Sequence, residues 1–563
     1  MADASVLPRP LSVAVGHASV GPSGVSGADL GDGLVIAHTP ALLPEARWFR
    51  QMLEAGTGWV VNLSSTDVPD KAAVVLRLGS LGQLPGDLES FMAGTKSTEA
   101  YRLSVSGGRV VITSSSGAGA FYGLQTLRQL LPDSVFRQAA RFGAIHLSDI
   151  EIVDAPRFVW RGVHLDVGRH FMPKSFVLRL IDLIALHKCN VLHLHLTEDQ
   201  GWRVPIERYP LLTEIGAWRA ESSVGREEAG LFDGVPHGGF YSCEDLEEIV
   251  AFAGERHVNV LPEIDMPGHM EAAIAAYPEL GNIDEPLQVR TSWGVSDHVL
   301  NLEERTIRFC TDVIDEVSAI FPWEYFHVGG DECSTAEWRT SSSAQQIMRE
   351  QGFTDESQLQ GWFTAQMAAH LATRGRTLVG WAEILEGGGP QGSVAMSWRG
   401  EEDAVKAAGA GHRVVMAAQD WLYFDRPYSL DLAEPLGSPG ATSVERVYMY
   451  EPVPTAIPAD QRHLVLGAQC QLWTEHVATP AQAEYLYFPR LSAFAEVVWT
   501  SDTATHPKSY DEFEPRLVRH LDRLTALGVN YRPLEGPSPG QARIWRPLGA
   551  GTGAGPRRGR SRA

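Results

Sequence analysis

Residues 325–334 read YFHVGGDECS, an apolar run that stops at two glycines and is followed at once by the adjacent acids Asp331 and Glu332. A short apolar run bounded in this way is typical of a buried strand. Gly329 and Gly330 have no Cβ, so they permit close backbone approach and a sharp exit from the strand. Seven more short apolar runs have the same character of a buried strand: RGVHLDV (161–167), NVLHLHLTE (190–198), HVNVLPEID (257–265), RTLVGWAE (376–383), VAMSWRG (394–400), RVVMAAQ (413–419) and HLVLGAQCQLW (463–473).

Helical segments separate several of these runs. SFVLRLIDLIALHK (175–188) places its apolar side chains on one face, and CEDLEEIVAFAGER (243–256) is a second clear helix. Eight strand–helix units in roughly 350 residues are typical of an α/β fold of the (β/α)₈ TIM-barrel type. A doubly wound sheet gives a similar alternation, so the pattern alone leaves that fold open.

Four regions are expected along the chain. Residues 1–40 are rich in Gly, Ser, Ala and Pro and are expected to form an irregular N-terminal segment or edge structure. Residues 41–155 are predicted to form a small α+β domain, with helices at 41–56 and 117–131, a strand at 72–79 and a hairpin that turns at Gly107-Gly108. The barrel is expected over residues 156–535, and residues 536–563 are expected to be a C-terminal tail with a disordered end.

The composition excludes several classes of partner. The 563 residues carry a net charge of −22 at pH 7, so no nucleic-acid partner is expected. No apolar run approaches the ~18 residues of a membrane span. The opening MADASVLPRPLSVAVG lacks a signal-peptide pattern, so a cytoplasmic location is expected unless the true start lies upstream. The five cysteines are scattered and form no CxxC pair, which predicts neither a zinc site nor a disulfide framework. The oligomeric state is left open.

The residues at the strand ends indicate the kind of site. In a parallel barrel the active site lies at the carboxyl ends of the strands. Acids and aromatic residues dominate these ends: Asp166, Glu198, Asp199, Glu263, Asp265, Asp331, Glu332, Trp381, Glu383, Trp398, Tyr423, Asp425, Trp473 and Glu475. Aromatic rings pack on the CH faces of a sugar while carboxylates accept from its hydroxyls, so a carbohydrate ligand is expected. Any one of these acids taken alone is better explained as a helix N-cap or a solvated loop charge, but that explanation weakens when most strand ends agree.

Eight segments together resemble the family 20 glycoside hydrolases, the β-N-acetylhexosaminidases. They are RGVHLDVGRHF, NVLHLHLTEDQGWR, VLPEIDMPGH, FHVGGDE, GWAEI, MSWRG, YFD and LWTE, and they appear in the family's order between residues 161 and 475. HVGGDE together with DMPGH is the most specific part of the match. The resemblance implies a TIM-barrel catalytic domain preceded by a small α+β domain.

The resemblance also implies substrate-assisted catalysis, in which the 2-acetamido oxygen of the substrate attacks C1 in place of a nucleophilic carboxylate. Glu332 is then the general acid and base, Asp331 accepts the acetamido N–H, and Tyr423 donates to the acetamido oxygen. Partial burial and the Asp331 charge are expected to raise the pKa of Glu332. Because neighbours on a strand point to opposite faces, the two acids are not expected to flank one glycosidic bond.

The family's sugar-binding positions carry over in the same way. Three tryptophans are expected to wall the acetamido pocket and the sugar face: Trp381, Trp398 and Trp473. Arg169 is expected to bind the C3 and C4 hydroxyls of the terminal sugar. Asp425 and Glu475 are expected to bind its C4 and C6 hydroxyls, which favours a pocket closed around a single sugar.

The sequence contains two further histidine patterns, His269 after the third strand and the pair His193 and His195 within the second strand. The resemblance places His269 in a relay with an acid after the second strand, which here is Glu198, where aspartate is the commoner residue in the family. His193 and His195 alternate with leucines and so face one way, and with Asp199 nearby they raise the question of a metal site. The family requires no metal, and inward polar residues of a barrel strand are usually hydrogen-bonded. No metal and no cofactor are therefore expected.

The sequence predicts an exo-acting, retaining β-N-acetylhexosaminidase that removes terminal β-linked GlcNAc, with GalNAc as a second candidate, from oligosaccharides or glycans. One alternative is a catalytically silent carbohydrate-binding barrel, against which the intact Asp331, Glu332 and Tyr423 argue. The other is a relative that releases a disaccharide or transfers the sugar. The loops around residues 220–240 and 425–450 would decide between these activities.

Overall fold

The computed structural model describes residues 5–16, 26–65, 73–82, 98–137, 142–226, 229–501 and 507–537. These residues form an N-terminal sheet domain followed by a closed barrel. Of the predicted C-terminal tail only residues 536 and 537 are described, so the expectation for its end lies outside the described residues. Among the residues described, no helix is long and apolar enough to cross a membrane.

The N-terminal domain contains nine described strands: β1 (Ser12–Val15), β2 (Ala28–Leu30), β3 (Val35–His38), β4 (Asn62–Ser64), β5 (Val74–Leu78), β6 (Tyr101–Ser106), β7 (Arg109–Ser114), β8 (Ile145–Leu147) and β9 (Ile150–Asp154). Seven of them form one sheet in the order β1-β9-β6-β7-β5-β3-β4, and β2 pairs with β8. The predicted hairpin is the antiparallel pair β6 and β7, in which Ser106 lies opposite Arg109.

Two helices of the described residues cover this sheet, Leu43–Thr57 and Gly117–Leu130. Their apolar side chains recur every three or four residues and share one buried cluster with the strands, which places Phe49, Leu53, Phe121 and Leu124 in the core. The first helix ends at Gly58, whose φ of 73° lies in the left-handed region that glycine adopts readily.

The expected division at residue 41 is wrong, because the described residues among the first 40, which are 5–16 and 26–40, contribute strands β1, β2 and β3 to the N-terminal domain. Strand β1 lies at one edge of the sheet, as edge structure would, but β3 lies between β4 and β5 inside it. Strand β3 pairs in parallel with both neighbours, and Ile36, Ala37 and His38 are buried. Parallel pairs with partners distant in sequence leave no local signal such as a hairpin turn, which explains why composition alone missed them.

The rest of the described chain forms twelve further strands: β10 (Trp160–Asp166), β11 (Val191–His195), β12 (Thr197–Glu198), β13 (Gly201–Trp202), β14 (Trp218–Arg219), β15 (His237–Gly238), β16 (Asn259–Glu263), β17 (Tyr325–His327), β18 (Thr377–Trp381), β19 (Val394–Ser397), β20 (Arg413–Met416) and β21 (Val465–Cys470). Eight of these close a barrel in the order β10-β11-β16-β17-β18-β19-β20-β21. Each predicted apolar run contains one of the eight. The barrel prediction is confirmed and the doubly wound sheet is excluded.

The described helices of this region vary from one turn to almost five turns. They are Lys174–Leu186, Leu211–Glu214, Cys243–Gly254, Glu271–Ala276, Glu304–Ile320, Ser342–Gln351, Ser357–Thr373, Glu401–Gly409, Gln419–Leu422, Val444–Met449, Pro480–Tyr487, Arg490–Trp499 and Tyr510–Ala526. Short 3₁₀ helices lie at Pro40–Leu42, Asp133–Phe136, Pro278–Leu280, Ala382–Leu385 and Arg462–Leu464.

The interior of the barrel is packed with side chains. A buried cluster distinct from the outer core contains Trp160, Val191, Leu261, Tyr325, Val379, Trp381, Val394, Met396, Val415 and Ala417. Almost every barrel strand contributes to it, as expected for inward positions of alternating strands. The barrel interior is therefore a packed core beneath the residues at the carboxyl ends of the strands.

The two domains are joined by buried ion pairs. Lys188 Nζ lies 2.8 Å from Asp154 Oδ2, and both side chains are fully buried. The Asp154 carboxylate also accepts from Trp499 Nε1 at 3.0 Å and from the Tyr101 hydroxyl at 2.7 Å. Asp154 belongs to the sheet domain, whereas Lys188 and Trp499 belong to the barrel. This contact fixes the small domain against the barrel.

Candidate active site

The acid pair lies in a turn rather than on a strand. Strand β17 ends at His327, and Gly329, Gly330 and Glu332 follow with φ of 63°, 92° and 49°. A Cβ on Gly329 would fall 1.7 Å from Oδ1 of Asp265, so only glycine fits there. The expectation that the two acids do not flank one glycosidic bond assumed a strand that extends to residue 332. That premise is wrong, because β17 ends at His327.

Both acids face one histidine. His269 Nε2 lies 3.9 Å from Asp331 Oδ2 and 3.7 Å from Glu332 Oε2. Asp331 is only 9% exposed, and its Oδ1 has no hydrogen-bond partner in the described part of the chain. The Glu332 side chain is 41% exposed. Partial burial and the neighbouring Asp331 charge raise the pKa of Glu332, which is the state that the sequence led us to expect.

Glu198 makes the expected contact with His269, since His269 Nδ1 lies 2.8 Å from Glu198 Oε1. The second oxygen of Glu198 lies 2.9 Å from His195 Nε2 and 3.1 Å from Arg169 Nη2. Burial alone would raise the pKa of Glu198, but the Arg169 and His269 charges outweigh it and hold that pKa well below its usual range. Burial likewise disfavours protonated His269, yet the Glu198 charge raises the pKa of His269 well above its usual value.

Glu263 is a central residue of the site, although the sequence pattern indicates it only as a strand-end acid and implies no role for it. Its carboxylate accepts from Trp381 Nε1 at 2.9 Å and pairs with His195 Nδ1 at 2.6 Å. His193 Nε2 and His327 Nδ1 lie 3.0 and 2.9 Å from its oxygens. The sequence did contain a signal for this role. Glu263 lies at the end of one apolar run, and His193 and His195 alternate with leucines in the preceding run, so the two histidines face the barrel interior. The register pairs His195 directly with Glu263 across β11 and β16.

These histidines are engaged in hydrogen bonds. Gln469 Nε2 lies 2.8 Å from His193 Nδ1, and both nitrogens of His195 face carboxylates. Potential ligand atoms of His193, Glu263 and His327 do lie within 4.8 Å of one another. His193 and His195 thus belong to a hydrogen-bonded network, while His193 Nε2 and His327 Nε2 have no hydrogen-bond partner among the described residues. The absence of a metal requirement stays a prediction.

Aromatic rings line the same end of the barrel. Trp398 and Tyr423 are stacked with ring centroids 6.3 Å apart and an interplanar angle of 17°. Trp473 lies 6.3 Å from Tyr423 and 5.8 Å from Trp381. Trp398 and Trp473 are half-buried, whereas Trp381 is fully buried beneath them. Trp381 is thus the deepest of the three predicted wall residues.

Glu383 contacts the indole N–H of Trp398, and the sequence pattern likewise indicates it only as a strand-end acid. Trp398 Nε1 lies 3.0 and 3.1 Å from the two oxygens of Glu383. Burial and the Asp331 charge raise the pKa of Glu383 to about 7. The segment GWAEI gave a signal, because it places this acid two residues after Trp381 at a strand end.

The remaining predicted residues form the other side of the site. The Arg169 guanidinium lies 4.9 Å from the ring centroid of Trp473, and its Nη1 lies 3.6 Å from Asp166 Oδ2. Asp425 is 4% exposed, its Oδ1 has no hydrogen-bond partner among the described residues, and burial raises its pKa. Burial also raises the pKa of Glu475 to about 7, with the Arg169 charge opposing this change.

The predicted residues therefore form one connected set. Glu198 and His269 lead to the acid pair, Arg169 links Glu198 to Trp473, and the rings continue to Tyr423. The charges of Asp425 and Glu475 act on their neighbours in the same cluster. A closed parallel barrel with an acid pair, a carboxylate–histidine relay and aromatic walls at its strand ends defines the class of barrel glycosidases.

The chain belongs to glycosyl hydrolase family 20. The catalytic-domain model of that family matches residues 158–502, and the model of its domain 2 matches residues 3–155. The second match begins well before residue 41, in agreement with the strands found there. The resemblance seen in the sequence motifs is confirmed.

Curated relatives and solved structures agree with this assignment. The chain is 41% identical to a beta-hexosaminidase of Porphyromonas gingivalis over 77% of its own length, and it spans about half of that relative, 54%. It is 32% identical to a beta-N-acetylhexosaminidase of Cellulomonas fimi, covering 96% of this chain and 99% of the relative. The GH20 exo beta-N-acetylglucosaminidase of Vibrio harveyi in complex with N-acetylglucosamine superposes with a TM-score of 0.79 at 30% identity, covering 94% and 78% of the two chains.

Proposed function

We propose that this protein is an exo-acting, retaining β-N-acetylhexosaminidase that releases terminal non-reducing β-linked GlcNAc, with GalNAc as a second candidate sugar, from oligosaccharides or glycoconjugates. The names of the family 20 relatives support this activity, and the N-acetylglucosamine complex of the Vibrio harveyi enzyme supports the sugar. The observation that carries the proposal is the placement of Asp331 and Glu332 beside one histidine in different environments.

Glu332 is the proposed general acid and base. Its side chain is open enough to reach a substrate, and its raised pKa favours the protonated form that an acid needs. It donates its proton to the glycosidic oxygen as the bond from C1 to that oxygen breaks. In the second step it takes a proton from the water that attacks C1.

Asp331 is proposed to direct the acetamido group. Its buried Oδ1 is free to accept the acetamido N–H, while the Tyr423 hydroxyl donates to the acetamido oxygen. The acetamido oxygen attacks C1 as the leaving group departs, which forms a bicyclic oxazolinium ion. The Asp331 charge stabilises that cation, and water then opens the ring with overall retention.

Exo action follows from the far side of the site. Arg169, Asp425 and Glu475 supply donors and acceptors for the hydroxyls of one terminal sugar. Asp425 is buried, and we infer that its carboxylate closes the pocket around the terminal sugar. This arrangement favours release of a single sugar over release of a disaccharide.

The test compares p-nitrophenyl β-GlcNAc, β-GalNAc and β-glucoside side by side. Turnover of the first two, with the glucoside slower by orders of magnitude, supports the proposal because glucose lacks the acetamido nucleophile. Equal turnover of the glucoside contradicts substrate assistance. Binding of GlcNAc without turnover identifies a silent binding barrel, and cleavage of only a p-nitrophenyl disaccharide identifies the disaccharide-releasing activity.

A further inference from the structure

His195 occupies an unusual position between two acids in the barrel interior. Its Nδ1 makes a 2.6 Å hydrogen bond with Glu263 Oε2, and its Nε2 makes a 2.9 Å hydrogen bond with Glu198 Oε2. All three side chains are at most 1% exposed, so water does not compete for these contacts. The two acids lie on different elements, strand β16 and the short strand β12.

The number of protons in this arrangement follows from elementary chemistry. An ionised carboxylate only accepts hydrogen bonds, and a neutral imidazole has one N–H and one bare nitrogen. If His195 were neutral, its bare nitrogen would face carboxylate lone pairs at hydrogen-bond distance. The pKa values of Glu198 and Glu263 are both held well below their usual range, so both carboxylates are ionised. Two donors are then needed for two acceptors, and only the imidazolium cation supplies them.

We propose that His195 is a permanently protonated positioning residue and that, with Glu263, it extends the relay that ends at Glu332. The relay runs from Glu263 through His195, Glu198 and His269 to the acid. The positioning role of His195 in catalysis rests on the proposed function. The charge state of His195 is independent of that function.

The groups around His195 favour the cation. From β10, Asp166 adds negative charge and His164 lies 5.9 Å away between ring centroids. Glu263 ends β16 and Asp265 follows two residues later, and from β11 comes His193. Glu198 follows on β12, with Arg169 bound to its carboxylate, and the Trp473 ring lies 5.1 Å away. Burial disfavours the cation, but the Glu263 and Glu198 contacts outweigh it, so the pKa of His195 is well above its usual value.

His193 provides an internal comparison two residues away on the same strand. Gln469 Oε1 accepts from Trp160 Nε1, so the amide nitrogen of Gln469 faces His193 Nδ1 at 2.8 Å as a donor. His193 Nδ1 must therefore be a bare acceptor, which makes this imidazole neutral. Burial lowers the pKa of His193 to about 4, in agreement. Two histidines with the same burial thus have opposite charge states because their partners differ.

The fixed charge has a positioning consequence. Glu198 Oε2 is occupied by His195 and Arg169, which leaves Oε1 directed at His269. Oε1 also accepts from the Asp199 backbone N–H. Without the His195 proton, Glu198 would lose one of its three side-chain donors, and its contact with His269 would change. His269 in turn sets part of the electrostatic environment of Glu332.

The direct test is ¹⁵N NMR of the protein labelled at histidine, with the His195 and His193 signals assigned by His195→Gln and His193→Gln. We expect both nitrogens of His195 to stay protonated from about pH 5 to 9 and His193 to keep one bare nitrogen. A bare nitrogen on His195, or its titration within that range, overturns the proposal. The result does not depend on activity, so it is separate from failure of the proposed function.

The kinetic test uses Glu263→Gln, which keeps the shape of the side chain and removes its charge. With one carboxylate left, His195 is expected to lose its proton within the working range, which adds a new ionisation to the pH profile of kcat/KM. His195→Gln is expected to lower kcat/KM by roughly tenfold or more, the value of one charge-assisted hydrogen bond. His193→Gln is the matched control and should leave the pH limbs in place. If Glu263→Gln and His195→Gln both fold, by circular dichroism, and keep the parent pH profile, the positioning role is refuted.

Discussion

His269 Nε2 lies 3.7 Å from Oε2 of Glu332, which is longer than a hydrogen bond but short enough for strong interaction between charges. Burial and the Asp331 charge raise the pKa of Glu332, and the His269 charge opposes them. The pKa of Glu332 is therefore set by opposing contributions, with burial and Asp331 raising it and His269 lowering it. Such a balance suits a group that must give up a proton in one step and take one back in the next.

The first prediction concerns removal of that proton. Glu332→Gln keeps the size of the side chain but cannot protonate a leaving oxygen. Hydrolysis of a substrate with a poor leaving group, such as a GlcNAc disaccharide, should fall by roughly 10²–10⁴-fold in kcat/KM. The measurement is steady-state kinetics of the variant against the parent enzyme.

A p-nitrophenyl substrate supplies the control for this variant. Because p-nitrophenolate leaves without much protonic help, the loss in the first step should be smaller with it than with the disaccharide. Near-normal turnover of the disaccharide by Glu332→Gln would show that another residue is the acid.

A second prediction concerns pH. The protonated form of Glu332 is the acid, so activity falls as pH rises through its pKa. The Asp331 charge helps to raise that pKa. Asp331→Asn removes this charge, so the alkaline limb of kcat/KM should move to lower pH in the residual activity. The profile should be measured with a phenyl glycoside, which needs protonation to leave. An alkaline limb that stays in place, or moves to higher pH, would contradict the coupling between the two acids.

The barrel could be predicted from the sequence because its signals are local. Each strand is a continuous apolar run, and the helices between the runs have helical periodicity. Most runs are followed by acids or aromatic residues, and in a parallel barrel the carboxyl ends of the strands form the active site. Strand β3 could not be predicted in the same way, because its neighbours β4 and β5 lie later in the chain and no turn connects them directly. Pairing between strands that are distant in sequence depends on tertiary packing, and a segment rich in Gly and Ser gives little sequence signal for a strand.

The site shows the same limit at a finer scale. Residues such as Glu332 and Trp398 could be found because they match motifs at strand ends. Glu263, by contrast, acts through atoms of four other side chains, and only the barrel register brings it opposite His195. The directions of the two acids were also beyond the sequence, because they depend on where β17 ends and on three residues with left-handed φ.

A third prediction addresses the length of Glu198, where the family more often has aspartate. Its carboxylate reaches His269, His195 and Arg169 at once. Glu198→Asp shortens the side chain by ~1.5 Å and cannot keep all three contacts. We expect kcat to fall roughly tenfold or more, since charge-assisted hydrogen bonds are lost.

Glu198→Gln separates reach from charge in this experiment. It keeps the length of the parent side chain and removes the negative charge. If Glu198→Asp retains the activity of the parent enzyme while Glu198→Gln loses it, only the charge matters and the argument from reach is wrong.

A fourth prediction concerns the aromatic wall. Glu383 accepts the indole N–H of Trp398, so Glu383→Ala should leave that ring free to move. The KM for p-nitrophenyl β-GlcNAc should rise roughly 3- to 10-fold, the value of one hydrogen bond. Glu383→Gln still offers an acceptor oxygen and should keep a KM close to that of the parent enzyme. Equal KM values for both variants would show that Glu383 does not position Trp398.

The last prediction concerns the junction between the domains. Asp154→Ala removes the carboxylate that faces Lys188, and it leaves the fully buried Lys188 ammonium without its counter-charge. Removing one partner of a buried pair costs about 3–5 kcal/mol, so the melting temperature should fall clearly in a thermal scan. Glu304→Ala is the control, because Glu304 pairs with Arg308 while their side chains are 90% and 66% exposed, and no measurable change is expected. A melting temperature unchanged by Asp154→Ala would mean that the buried pair contributes little to holding the sheet domain on the barrel.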